Sequence, residues 1–174
     1  MKTIYLAGPD VFRALPLEHF KKLKTLCEKY GFIGFSPFDN ENDFNGQAFS
    51  KEHSTHIFSA NVGTINVCDI IVANLTPFRG ACIDDGTAWE IGYGYAIGKL
   101  IYGYTNNYLI KLANQIDVKA HSDSLLEFPG IESFGDNCVN LMIQESIELS
   151  GGKILKTFED CLLNLKHNEN KYGE

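Results

Sequence analysis

The chain has 174 residues and a mass of 19.4 kDa, with 15 basic and 22 acidic side chains for a net charge of −7, and 44% of its residues are hydrophobic. That length and apolar content fit one folded domain with its own core and argue against disorder. A pI near 5.2 and only two arginines, Arg13 and Arg79, leave no basic stripe to follow a nucleic-acid backbone or to dock on an anionic membrane.

The first apolar run breaks at Gly8-Pro9-Asp10, too short for a signal-peptide core, and no segment approaches the roughly 18 apolar residues of a membrane span, so a cytoplasmic location is expected. Five cysteines at wide spacings, without a CxxC pair, read as reduced and mostly buried thiols.

Residues 3–7 are a β-prone run ended by Gly8-Pro9, a first strand feeding a loop. Residues 17–30 place Phe20, Leu23, Leu26, Cys27 and Tyr30 at helical spacing, and Gly31 closes that helix. Residues 32–35 form a short strand and 36–43 a polar loop off its end, followed by a helix over 48–67. Residues 69–75 are a continuous apolar run of strand length, the pattern of a parallel strand covered on both faces. A loop over 76–85 leads to a helix over 87–97, with Gly98 as its stop, and to a strand over 100–104. The pattern weakens from 105 to 137, an irregular connection with room for one short helix, and 157–166 form a final amphipathic helix.

Strands alternating with helices imply an α/β fold with a doubly wound parallel sheet, because parallel neighbours need crossover connections. Ligands bind such sheets beyond the carboxyl ends of the strands, which selects the loops at 8–12, 37–43 and 75–90. The first loop has neither GxGxxG nor a P-loop, so Gly8-Pro9 reads either as a tight turn or as part of another kind of ligand loop.

The stretch from 83 to 94 is the most informative. Asp84 and Asp85 precede a glycine that opens a helix, and either could cap it. Glu90 follows on an otherwise apolar helix, where the dipole favours its ionised form and where it could act as a nucleophile. The small residues Ala88, Gly92 and Gly94 suggest that something approaches this helix closely. Asp69, at the start of the central strand, is either functional or a strand-end residue in contact with water. His53 and His56 do not follow the HExxH order, so no metal site is expected there.

Five segments together resemble the ordered motifs of the nucleoside 2-deoxyribosyltransferases. They are Tyr5-Leu6-Ala7-Gly8-Pro9-Asp10-Val11-Phe12, Phe38-Asp39-Asn40-Glu41, Cys68-Asp69-Ile70-Ile71-Val72-Ala73-Asn74-Leu75, Asp84-Asp85-Gly86-Thr87-Ala88-Trp89-Glu90-Ile91-Gly92 and Val139-Asn140-Leu141-Met142. The resemblance implies a flavodoxin-like fold that cleaves the N-glycosidic bond of a 2′-deoxynucleoside and passes the deoxyribosyl group to another free nucleobase, without a cofactor. By position, Glu90 matches the nucleophile, Tyr5 the tyrosine that orients it, and Asp69 the acid near the base. Asp84 matches a carboxylate that holds the sugar hydroxyls, and Asn140 an asparagine that reaches the sugar of a neighbouring subunit, which implies a homo-oligomer with shared active sites. Asp39, Asn40 and Glu41 fall where base-edge contacts are expected, and Gly8 and Phe12 join them as substrate-binding candidates.

The chemistry fits these residue types. Displacement at the anomeric carbon through an oxocarbenium-like transition state needs a carboxylate on one face and a proton source for the departing base on the other. Sugar hydroxyls are donors that suit acceptors such as Asp84 and the Asn140 amide, whereas a 5′-phosphate would be repelled by Asp10 and Asp84. A hydrolase on the same scaffold and a non-catalytic nucleotide-binding module are the competing readings. Related hydrolases of nucleoside 5′-monophosphates carry a Ser/Arg-containing loop where this chain has Pro9-Asp10-Val11-Phe12.

Overall fold

The structure, a computed structural model, describes residues 1–40, 50–116 and 134–172. Within them β1 (Thr3–Ala7), β2 (Ile33–Phe35), β3 (Ile70–Asn74), β4 (Leu100–Tyr104) and β5 (Ile154–Leu155) form one sheet in which every adjacent pair is parallel. The strand order is β2-β1-β3-β4-β5, the flavodoxin-like order, which reverses direction between β1 and β3. The helices are α1 (Pro16–Tyr30), α2 (Lys51–Val67), α3 (Asp85–Ala96), α4 (Leu112–Gln115), α5 (Leu141–Leu149) and α6 (Phe158–Tyr172), with short 3-10 turns at Pro9–Phe12 and Pro37–Asn40.

Alternation along each strand divides the core into two layers. Ile4, Leu6, Ile70, Val72 and Tyr102 pack with Phe20 and Leu23 of α1 and Leu162 of α6. Tyr5, Ala7, Ile71, Ala73 and Ile101 pack on the other face with Ile65 of α2, Ile91 of α3 and Ile147 of α5. Each large aliphatic side chain so buried is worth about 1.5–3 kcal/mol. The faces fix where function can sit: Tyr5 points towards α2 and α3, and the carboxyl ends of β1 and β3 meet at the reversal.

Local chemistry sets the helix ends. Pro16 opens α1, and Gly31 ends it in the left-handed region with φ 89°. The Ser50, Asp84 and Asn140 side chains cap α2, α3 and α5. Gly94 is required by packing, because a Cβ there would lie 2.2 Å from Ile71 Cδ1. What approaches α3 at Gly94 is therefore the sheet.

Three expectations are corrected. The helix expected from residue 87 starts at Asp85, because Asp84 is its cap and Gly86 lies inside the first turn. The last helix runs on to Tyr172. Helix α5 and strand β5 were not expected: α5 shows its apolar face chiefly through Ile143 and Ile147, and β5 has two residues, too few for any periodicity. No helix among the described residues is long and apolar enough to cross a membrane.

Candidate active site

Glu90 sits in the second turn of α3 and meets Tyr5 from the middle of β1: the Tyr5 hydroxyl donates to Glu90 Oε1 at 2.5 Å. The two residues are 85 positions apart in sequence, and the β1–β3 register together with the burial of Ile91 and Tyr5 in one layer brings them together. Glu90 keeps an accessible edge while protein surrounds the rest of its carboxyl. Burial raises its pKa to about 7, the nearby Asp84 charge pushes in the same direction, and the Tyr5 hydrogen bond opposes both. Burial, reinforced by the Glu90 carboxylate, pushes the Tyr5 hydroxyl far above its ordinary pKa, so it remains the donor.

Asp84 is the cap of α3: Oδ2 accepts from Thr87 N and from Thr87 Oγ1, each at 3.0 Å. Its Oδ1 has no hydrogen bond among the described residues and is available as an acceptor at the carboxyl edge. Gly8 turns the chain there with φ 144°, and a Cβ would lie 2.6 Å from Asn74 Cβ, so the end of β1 presses against the end of β3. Asp10 is buried beneath this turn, where it accepts from Asn74 Nδ2 at 3.0 Å and from Arg13 Nε. Asp10 is thereby held inside the protein and is not offered to a ligand as Glu90 and Asp84 are.

Phe12 stands exposed at the same edge. Its ring stacks on Phe78 with centroids 5.1 Å apart, and the Arg79 guanidinium lies 4.6 Å from the Phe78 centroid and 5.5 Å from that of Phe12. Arg79 adopts φ 52°, the one positive φ of a non-glycine residue in the described chain. Phe78 and Arg79 lie in the loop over 75–90 that the carboxyl-edge rule selects, but no motif in the sequence marks either residue.

Asp69 is not part of this site. It precedes β3 at the amino end of the sheet, where Oδ2 accepts from Thr3 N at 2.7 Å and Thr3 Oγ1 at 2.8 Å. Ligands of a parallel sheet gather at the opposite, carboxyl edge, so Asp69 serves as a tie between β1 and β3. These bonds to Thr3 hold its carboxyl below the ordinary pKa. Asp39 is likewise committed elsewhere: Oδ2 accepts from Ser36 N at 2.7 Å and Oδ1 pairs with Lys24 of α1. Asn40 closes that 3-10 turn, and Glu41 lies outside the described residues.

Asn140 caps α5 by accepting from Met142 N at 3.0 Å and is exposed. With Ile83, Asp85, Ala88 and Ile143 it lines a cavity of about 230 Å³ between α3 and α5. Ala88 and Glu90 are two positions apart on a helix, roughly opposite one another around its axis. Within one chain, Asn140 and Glu90 therefore lie on different flanks of α3.

The sequence matches the model of one protein family, described as nucleoside 2-deoxyribosyltransferase, over residues 4–142. Among solved structures, the chain is similar to a 2-desoxiribosyltransferase from Leishmania mexicana, with 26% identity and a TM-score of 0.71 over 96% of this chain and 98% of that one. It is also similar to a conserved protein from Enterococcus faecalis V583, with 25% identity and a TM-score of 0.66 over 97% and 99% of the two chains. A 2-deoxyribosyltransferase from Bacillus psychrosaccharolyticus, at 24% identity and a TM-score of 0.50, shares the fold over 76% of this chain and 99% of its own. An uncharacterized protein of Schizosaccharomyces pombe is 38% identical over 105 residues, 60% of this chain and about half the length of that relative.

Proposed function

The chain belongs to the nucleoside 2-deoxyribosyltransferase family, and on that premise we propose that it transfers the 2-deoxyribosyl group of a 2′-deoxynucleoside to a second free base through an ester on Glu90. The observation that carries this reading is the 2.5 Å bond from Tyr5 to Glu90 Oε1, which fixes a half-buried carboxylate at the ligand edge of the sheet. With Oε1 held by Tyr5, Oε2 attacks the anomeric carbon. The C1′–O bond forms as the C1′–N bond breaks, and its electron pair leaves with the base nitrogen, which takes a proton from water. The acceptor base then attacks C1′ from the vacated face and releases Glu90 as carboxylate, its own proton passing to water. Two inversions retain the configuration. Desolvation raises the energy of the free carboxylate, and the Tyr5 hydrogen bond keeps enough of it ionised at neutral pH to act.

Asp84 accepts from a sugar hydroxyl through Oδ1, and Phe12 offers an apolar face to the base. Asn140 reaches the sugar in the site of a neighbouring copy, a reading supported by its place on the far flank of α3 from Glu90 of its own chain. The test is to incubate the protein with a 2′-deoxynucleoside, with and without an excess of a different free base, and to separate the products. The reading expects a new deoxynucleoside when the acceptor is present. Free deoxyribose as the main product at saturating acceptor would make the protein a hydrolase, and no conversion of any deoxynucleoside would refute the catalytic reading.

A further inference from the structure

One buried carboxylate joins three strand ends behind the site. Asp10 follows β1 through the Gly8 turn and is only 2% exposed. Its Oδ2 accepts from Asn74 Nδ2, at the end of β3, at 3.0 Å and from the Tyr104 hydroxyl, at the end of β4, at 3.4 Å. Its Oδ1 pairs with Arg13 Nε and lies 3.2 Å from His19 Nε2 of α1. Val72, Tyr102 and Tyr104 face the layer of α1 and α6, and Asn74 shares the face of Val72 by the two-residue period of a strand. The cluster therefore lies across the sheet from Tyr5, whose ring is in the other layer and whose hydroxyl holds Glu90.

Two short links run from this carboxylate to the mouth. Asp10 belongs to the 3-10 turn Pro9–Phe12 and stands two residues before Phe12. The amide that it holds, Asn74, accepts from Thr76 N through Oδ1 at 3.0 Å, two residues before Phe78. Phe12 and Phe78 are the rings that stack at 5.1 Å. A buried ion pair gains little stability over well-packed apolar groups of the same volume, so what this carboxylate supplies is geometry. Only a group with acceptors on both oxygens can face Arg13 and the Asn74 N–H at once, and that bond turns the Asn74 carbonyl to Thr76. We infer that Asp10 is a positioning residue for nucleoside binding, a clasp that holds the loops after β1 and β3 so that Phe12 and Phe78 form one aromatic wall of the site. The inference rests on the reading of this edge as the place where the nucleoside binds, and Asp10 itself touches no substrate.

The test is steady-state base exchange by the full chain and by Asp10→Asn, Phe78→Ala and the double variant. In Asp10→Asn one acceptor becomes a donor that faces either Arg13 or the Asn74 amide, so the loops part while the Tyr5–Glu90 pair across the sheet keeps its geometry. KM for the deoxynucleoside should rise roughly three- to tenfold, the size of one aromatic contact, with kcat within about twofold of wild type and the pH midpoint of activity unmoved. Phe78→Ala should raise KM by a similar factor, and Asp10→Asn should add less than about twofold to it, because the clasp acts through the stack. A group that serves the fold alone would lower the melting temperature and the active fraction, hence the apparent kcat, and leave KM as it was. If Asp10→Asn does not fold, Asn74→Ala, which cuts the link to Thr76 and leaves Asp10 with Arg13, must give the same rise in KM. The proposal is overturned if KM stays within twofold of wild type, if kcat falls in its place, if the effects of Asp10→Asn and Phe78→Ala multiply, or if neither Asp10→Asn nor Asn74→Ala folds. Equilibrium binding of a deoxynucleoside to Glu90→Ala, with and without Asp10→Asn, is measured alongside. Exchange with a KM indifferent to Asp10 sinks this inference alone, and Asp10-dependent binding without any exchange by the wild type sinks the reading of the reaction alone.

Discussion

Replacing Tyr5 by phenylalanine removes one oxygen from the site, and the consequence can be worked from the geometry. The hydroxyl bonds Glu90 Oε1 at 2.5 Å and opposes the burial that raises the Glu90 pKa to about 7. A hydrogen bond to a charged group is worth about 1.5–3 kcal/mol, and about 1.36 kcal/mol moves a pKa by one, so Glu90 in Tyr5→Phe should titrate near 8–9. The nucleophile works as the carboxylate, so activity rises with pH in both proteins and the variant's limb lies higher. At pH 7 the ionised share falls from about one half to between roughly one-tenth and one-hundredth, an activity loss of about five- to fiftyfold that largely disappears by pH 9.5. The assay is kcat/KM for base exchange from pH 5.5 to 9.5 in wild type and variant. Equal midpoints, or a loss of the same size at every pH, would show that Tyr5 does not set the ionisation of Glu90.

The same raised pKa makes Glu90 a liability to the fold: its contribution is present below its ordinary pKa of 4.5 and is lost as pH rises through about 7. Glu90→Gln should accordingly be more stable than wild type at pH 8.5 by about 3 kcal/mol, with the gap closing near pH 4.5, as read by denaturant melts. Asp69→Asn should cost about 1 kcal/mol or less, since the Asp69–Thr3 contact is exposed, and should leave kcat/KM within about twofold; a large kinetic loss with normal stability would return Asp69 to the chemistry. Asn140→Ser keeps a side-chain cap on α5 but removes the carboxamide, so it should fold normally and lose activity, and mixing it with Glu90→Ala under subunit exchange should restore part of the activity. Confirmed exchange without recovery would exclude a site shared between copies.

The fold was legible wherever one periodic signal dominated. The unbroken apolar run over β3 announced a strand covered on both faces, and Gly31 marked the end of α1. Glu90 was visible as a lone carboxylate on an apolar helix, whereas Tyr5 was legible as its partner only through the family resemblance: by residue pattern it is one more aromatic in a β-prone run until the register turns it towards α3. Asp69 entered the site only through the family resemblance, although its place at the start of β3 already put it at the amino edge, and its bonds to Thr3 are known only from the paired register of β1 and β3.

The central claim is that Glu90 carries the sugar, and it is tested most directly by mass spectrometry of the intact protein and its peptides after mixing with a slow 2′-fluoro analogue of a deoxynucleoside. The account predicts an added fluorodeoxyribosyl mass on the peptide that holds Glu90, discharged by a free base and absent in Glu90→Ala. Consumption of the analogue with the adduct on another residue, or with no adduct at any time point, would contradict it.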